Sequence, residues 1–170
     1  WAYYVQDAVY SNGAEGVFVM GCNLVAVNRG VAFTSTGTEP QCQVSDTHIN
    51  AYVKCVDLDQ CVQGNIHDNL LYSRNDTTNE VIGVDVSASC LYNRVEGNTF
   101  VRTGTSTMIA VRDAGNRTVI SGNLVQGATV GIDILAAAQL SRERANRFIN
   151  CGTDVRDGSS TTARETLIRS

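Results

Sequence analysis

Apolar and polar positions along this chain repeat in a phrase that returns every 22 to 29 residues. In this phrase an apolar residue is followed by two variable residues, a pivot, one further variable residue and a second apolar residue, as in Val95, Asn98 and Phe100. The six pivots are Cys22, Thr47, Asn69, Asn98, Asn123 and Asn146. A near-constant period indicates one structural unit, repeated with small loop insertions.

A second phrase lies before each next pivot and alternates with a period of two, which is typical of a β-strand. It is clearest at 83–86 and 131–134, and the other copies are placed at 30–33, 55–58, 108–111 and 152–155. A unit of this size cannot bury its apolar face alone, but stacked units share one continuous core. The sequence therefore predicts an all-β fold, a right-handed parallel β-helix of about six coils.

Four consecutive pivots, from Asn69 to Asn146, are asparagine. Asparagine tolerates the left-handed backbone region that a sharp turn requires, and its amide bonds neighbouring backbone or the asparagine of the next coil. Because adjacent parallel strands lie about 4.8 Å apart, such amides stack in register. We expect an asparagine ladder.

The asparagine ladder and the alternating strands resemble the pectate-lyase-type right-handed β-helix, and the Thr-, Gly- and Asn-rich texture resembles bacteriophage tailspike and tail-fibre proteins. This resemblance implies a homotrimer in the virion tail that recognises bacterial surface polysaccharide during host attachment, with glycoside hydrolysis as a further hypothesis. A non-catalytic shaft or trimerisation segment is one alternative. A secreted polysaccharide lyase or epimerase is another. The motifs of polygalacturonases are absent from the sequence, so no catalytic residue is carried over.

The repeat predicts three regions: residues 1–16 as a lead-in or cap, 17–157 as the column, and 158–170 as a linker or tail. Helix-forming residues at 136–147 make a short helix the main rival interpretation there, although Asn146 keeps the register of the pivots.

The composition of the chain argues against several classes of partner. The 170 residues carry a net charge of -4, which argues against a nucleic-acid partner. No stretch approaches the roughly 20 apolar residues of a membrane-spanning helix, so no membrane insertion is expected. The six cysteines show no zinc spacing, and the sequence indicates no cofactor. Cys61 and Cys90 each precede a pivot by eight residues, which predicts stacked, buried thiols, with a cross-coil disulfide as the alternative.

The outward position of the second phrase is rich in carboxylates. In the predicted frame it is occupied by Ala32, Asp57, Asp85, Ala110, Asp133 and Asp154. Like charges on adjacent coils repel, so Asp57 and Asp85 are expected to share a proton. A calcium ion bound by these aspartates is one alternative and would relieve the repulsion, and a solvated acidic face that holds no site is the other.

Asp85 and Asp133 are two coils apart, roughly 9.6 Å at the backbone, with Ala110 leaving a gap for a sugar. Carboxyl groups about 6.5 to 9.5 Å apart suit inverting glycoside hydrolysis, so this pair is the predicted catalytic site. The predicted substrate-binding residues are Asp57, Arg112 and Asp154, and the tyrosines available to stack on sugar rings are Tyr52, Tyr72 and Tyr92.

Overall fold

The computed structural model describes residues 2–3, 5–35, 41–74, 78–161 and 163–164. These residues form only β-strands, turns and bends; none of them belongs to a helix, and accordingly none forms a helix able to cross a membrane. The strands are β1 Ala2–Tyr3, β2 Asp7–Asn12, β3 Gly16–Met20, β4 Asn23–Thr34, β5 Gln41–Ser45, β6 His48–Asp59, β7 Asn65–His67, β8 Leu70–Ser73, β9 Glu80–Val86, β10 Arg94–Glu96, β11 Thr99–Val101, β12 Thr107–Asp113, β13 Val119–Ser121, β14 Leu124–Gln126, β15 Val130–Ile134, β16 Arg142–Arg144, β17 Arg147–Ile149, β18 Thr153–Asp157 and β19 Ala163–Arg164.

All the paired strands are parallel, and the chain winds as a β-solenoid of about six turns. Face 1 contains β2, the second halves of β4 and β6, and then β9, β12, β15 and β18. Face 2 is the seven-stranded sheet β3-β5-β7-β10-β13-β16-β19. Face 3 contains β1, the first halves of β4 and β6, and then β8, β11, β14 and β17. The predicted all-β parallel column is confirmed, and it is consistent with a pectate-lyase-like β-helix.

The core is one apolar column inside the three faces. Inward residues on each face, such as Val84, Ile120 and Phe100, have no exposed surface. Burial of each such side chain stabilises the fold by roughly 1.5–3 kcal/mol. The solenoid is therefore held by a continuous core that no single turn contains.

The asparagine ladder is present. Each Oδ1 of Asn98, Asn123 and Asn146 accepts hydrogen bonds from the backbone N and the Nδ2 of the ladder residue one coil earlier, at 2.9–3.1 Å. Each Nδ2 also donates to a backbone carbonyl at 2.8–2.9 Å. The expected left-handed backbone at the pivots is wrong. It falls one residue earlier, at Asp68, Gly97, Gly122 and Ala145, because the asparagine itself turns inward to bond the next coil.

Small residues set the register of face 1. A Cβ added to Gly83 would lie 2.4 Å from the carbonyl oxygen of Ala110 and 2.5 Å from Cδ1 of Phe100. Ala110 and Gly131 lie opposite Gly83 on successive strands, between aligned neighbours. The copies predicted at 108–111 and 152–155 therefore lie two residues too early, because the alternation alone does not show which small residue must face the crowded interior.

The cysteines are free thiols. Cys61 and Cys90 stack as predicted, with the backbone N of Cys61 donating to Sγ of Cys90 at 3.4 Å. Both are fully buried, and burial raises the pKa of each thiol. Burial also raises the pKa of Cys42 and of Cys55 to about 12.

The rival helix at 136–147 is wrong, since two strands, β16 and β17, lie there with turns before them. Parallel pairing also extends past both predicted ends of the column. At one end β1 and β2 pair with β4, and at the other β19 pairs with β16. Trp1 and 165–170 lie outside the described residues.

Candidate functional site

On face 1 the aligned outward row differs from the predicted row of carboxylates. Strand pairing brings acidic and basic residues into alternation along its C-terminal part. From the N-terminal end the row contains Ala32, Asp57, Asp85, Arg112, Asp133 and Arg156. The two positions in which the sequence suggested Ala110 and Asp154 are thus held by arginines.

Asp85 is clamped on both oxygens. Arg112 donates from Nε to Oδ1 at 2.8 Å and from Nη2 to Oδ2 at 2.5 Å, and Nζ of Lys54 lies 2.6 Å from Oδ2. Burial acts to raise the pKa of Asp85, but hydrogen bonds and charge from Arg112 and Lys54 outweigh it, so its pKa lies below the ordinary value. This carboxylate stays ionised at neutral pH.

The other carboxylates of the row are paired as well. Arg156 donates to both oxygens of Asp133, at 2.7 and 2.5 Å, and the Asp133 residue is only 3% exposed. Asp57 lies 2.7 Å from Nζ of Lys54 and 3.1 Å from Nη1 of Arg29. Lys54 bridges Asp57 and Asp85, and the pKa of Asp85 is lowered rather than raised as the expected repulsion would require.

The gap predicted at Ala110 is also wrong. Ala110 is fully buried in the core, and Arg112 occupies the position between Asp85 and Asp133. Asp154 is half-buried and lies two residues before Arg156, outside the row. It stands opposite Gly131, which its carbonyl oxygen approaches. Arg112 is thus the one predicted binding residue between the predicted catalytic aspartates, and it is engaged with Asp85.

Such a row suits stability better than acid–base chemistry. A general acid needs a carboxyl that remains protonated near working pH, which requires a raised pKa. The cations around Asp85, Arg112 and Lys54, lower its pKa instead. Among the residues that the structure describes, no group of three or more His, Cys, Asp or Glu side chains is arranged to hold a metal ion.

Face 2 presents a different surface, which we call the arginine surface: Tyr92, Arg94, Arg117, Leu140 and Arg142. Tyr92, Arg117 and Leu140 hold equivalent left-handed positions, with φ of 55–59°, in the turn before face 2. Isolated bridges at 62, 91, 116 and 139 keep these turns stacked. Side chains at equivalent positions of successive coils are consequently aligned along the column.

Tyr92 and Arg117 form the centre of the arginine surface. The guanidinium carbon of Arg117 lies 5.2 Å from the ring centroid of Tyr92, and Nη1 of Arg117 donates a hydrogen bond to the Tyr92 hydroxyl. Tyr92 is 47% exposed. A fixed, half-exposed aromatic ring beside planar donors offers both an apolar face and hydrogen bonds.

Two open cavities, each of about 380 Å³, flank this pair. One is lined by Gln63, Tyr92 and Arg94. The other is lined by Arg117, Val119, Leu140, Arg142 and Thr161. Their volumes fall at the lower end of the range for small-ligand sites, which is about 300–1,000 Å³.

The arginine surface is positively charged although the chain carries a net charge of -4. Arg142 and Arg117 have no carboxylate within ion-pair distance in the described part of the chain, and Arg94 reaches only Glu96, at 3.7 Å. The sequence pointed to Tyr92 as a sugar-stacking candidate but not to Arg94 or Arg142. Their signal was recurrence, since each stands directly before the inward residue of a face 2 strand.

The other two tyrosine candidates are engaged elsewhere. Arg74 stacks over Tyr52 at 5.2 Å, and Tyr72 meets His48 edge-on at 5.4 Å. Tyr92, by contrast, adjoins a cavity lined by an arginine, Arg94.

Comparison of the chain with protein families, with curated proteins and with solved structures found no match.

Proposed function

We propose that this chain is the polysaccharide-recognising part of an attachment protein of the bacteriophage tailspike kind. The observation that carries this proposal is the arginine surface, where the exposed Tyr92–Arg117 pair lies between two cavities. Sugar rings have apolar faces and many hydroxyls, so they suit an aromatic ring beside planar hydrogen-bond donors. The surface spans successive coils, from Arg94 past Val119 to Arg142, so it is long enough to contact more than one sugar of a polymer.

Recognition is proposed here without hydrolysis on face 1. Asp85 and Asp133 each accept two hydrogen bonds from an arginine, which leaves no free carboxyl oxygen facing a substrate. The row of ion pairs is better suited to holding the coils together.

Calorimetry against a panel of neutral and acidic bacterial surface polysaccharides tests the proposal. We expect binding by the chain and a loss of roughly tenfold in affinity for Tyr92→Ala, because a stacked ring contributes about 0.5–1.5 kcal/mol beyond the apolar area that it buries. Tyr10→Ala is the matched control, since Tyr10 is also exposed, at 59%, but lies on face 1. Equal affinity of both variants would place recognition elsewhere, and absence of binding to every polymer would remove the proposal.

Release of reducing ends from the same polymers tests hydrolysis. We expect none above background. Activity that disappears in both Asp85→Asn and Asp133→Asn would instead establish the pair that the sequence suggested, and light scattering of the same samples tests the homotrimer implied by the resemblance.

A non-catalytic shaft is the second candidate. The continuous ladder of buried asparagines and the paired charges of face 1 favour it, because both join successive coils. A trimer that binds none of the panel would support the shaft.

A further inference from the structure

We propose that the arginine surface binds an acidic polysaccharide, one whose sugars carry carboxylates, with its long axis along the column. This inference rests on the proposed function and adds the class of ligand. The residues that support it are the arginines of face 2, none of which belongs to the site predicted on face 1.

Face 2 carries an excess of outward positive charge. Among the described residues, strands β7, β10, β13 and β16 and the turns directly before them direct four arginines outward: Arg94, Arg117, Arg142 and Arg144. The single outward carboxylate of these strands is Glu96, which accepts a hydrogen bond from Ser121 at 2.7 Å. An anionic ligand therefore meets an excess of positive charge here, in a chain that is acidic overall.

These four arginines are exposed, and Arg94 makes one long ion pair, 3.7 Å, with Glu96. Arg94 is 63% exposed in its side chain, and Arg142 is exposed and makes no ion pair with another described residue. By contrast, Arg112 and Arg156 on face 1 donate hydrogen bonds from their guanidinium groups to Asp85 and Asp133 respectively. Guanidinium groups bind carboxylates through two parallel hydrogen bonds, which makes unpaired arginines specific for such groups.

Cationic and apolar residues alternate along the column on face 2. Arg94, Val119 and Arg142 are aligned on successive strands, so the two arginines lie about 9.6 Å apart at the backbone with an apolar residue between them. Tyr92 and Arg117 adjoin this row at the turn. The surface thus alternates cationic and apolar positions, which matches a polymer in which acidic and less polar sugar faces alternate.

The probe is hyaluronan, in which a glucuronate alternates with a neutral sugar, with polysialic acid as a second acidic polymer. Carboxyl-reduced hyaluronan, which keeps the chain but loses the charge, is the matched neutral ligand. We expect the 170-residue chain to bind at least one acidic polymer, and to lose most of this affinity as salt rises from 50 mM to 500 mM, because exposed charges are then screened. We expect no comparable binding to the reduced polymer.

Arg94→Gln and Arg142→Gln should each weaken binding to the acidic polymer roughly tenfold, the value of one charge-assisted contact. Arg102→Gln removes the same charge from an exposed position after β11, on another face, and should change affinity less than twofold. Equal unfolding midpoints of the three variants in urea show that the comparison concerns binding alone.

Each contrary result has a distinct meaning. Equal binding of hyaluronan and its reduced form, or binding only of neutral polymers from the panel, overturns the acidic ligand and leaves polysaccharide recognition standing. Equal losses in Arg94→Gln and Arg102→Gln overturn the location. Binding of polyglutamate as tight as that of the acidic polymers shows a general anion surface and removes the polysaccharide. Failure of every polymer, acidic and neutral, removes both proposals.

Discussion

At the scale of single residues, the buried asparagines solve a problem that every coil of the solenoid shares. The turn between faces 2 and 3 leaves backbone donors and carbonyls inside the column, where water does not reach them. Asn98 satisfies several at once: its Oδ1 accepts from the N and Nδ2 of Asn69, and its Nδ2 donates to the carbonyl of Ile66. An unpaired buried polar group lowers the stability of the fold by roughly 1–3 kcal/mol, so one asparagine that pairs several such groups avoids several of these losses.

Replacing Asn98 by alanine should lower the free energy of unfolding by about 3 kcal/mol, since the Asn69 amide and the Ile66 carbonyl both lose a partner. Urea denaturation measures this loss. Gln126→Ala, at an exposed position of β14, is the control and should stay within about 0.5 kcal/mol. A loss below 1 kcal/mol for Asn98→Ala would show that the ladder is only a by-product of the turn.

At the scale of strands and coils, registration depends on small residues facing inward. Ala110 and Gly131 stand where Gly83 stands on the neighbouring strands, and larger groups there meet a carbonyl or an aromatic ring. Face 1 thereby acquires its alternating charges, because the position two residues later always points outward. The small inward residue therefore sets both which residues of neighbouring strands pair and which charges meet on the outer side of face 1.

Gly83→Ala should destabilise the chain by about 2–3 kcal/mol, because the added Cβ lies 2.4 Å from a backbone oxygen that has no room to move. Gly16→Ala is a matched control on an exposed strand position, where the nearest atom would be 3.9 Å away. Thermal unfolding of the two variants makes the comparison. Similar transition temperatures would mean that the interior relaxes around the methyl group.

Arg112→Gln should reduce stability by about 2 kcal/mol at pH 7, since Asp85 keeps only Lys54 as a cationic partner. The pKa of Asp85 is depressed in the folded state, so its stabilising contribution is present above the ordinary pKa, near 3.9, and disappears as pH falls through the folded value. The difference between the variant and the parent chain should therefore shrink toward acidic pH. Urea titrations from pH 7 to pH 3 measure it, and a constant difference would contradict the assigned ion pair.

The sequence predicted the column, its approximate period and the asparagine ladder, because each depends on residues that recur in register. It misplaced the outward row at two of six coils. Alternation alone treats 108–111 and 110–113 equally, and only the packing of Ala110 against Gly83 decides between them. The arginine surface went unpredicted for a related reason: Arg94 and Arg142 come together only when distant turns stack.

At the scale of the whole molecule, the three faces have different tasks. The carboxylates in the outward row of face 1 are paired with cations, the ladder asparagines bond one another in the interior, and face 2 alone keeps several guanidinium groups without an ion pair within the described residues. Stability in such a solenoid is the sum of turns and their interfaces. The surface proposed to bind a polymer can therefore be carried by a column that is stabilised by its core and its other faces.

Buried thiols give this column an internal probe of its own motion. Cys22 is partly exposed, whereas Cys61 and Cys90 are sealed between coils and their raised pKa values keep them protonated. A maleimide reagent should label Cys22 within seconds to minutes and the other two only when neighbouring coils part. Mass spectrometry of the labelled peptides measures both rates. Rapid labelling of Cys61 would show that the coils around it open locally. Slow labelling at the rate of global unfolding would show that the coils of the column open together.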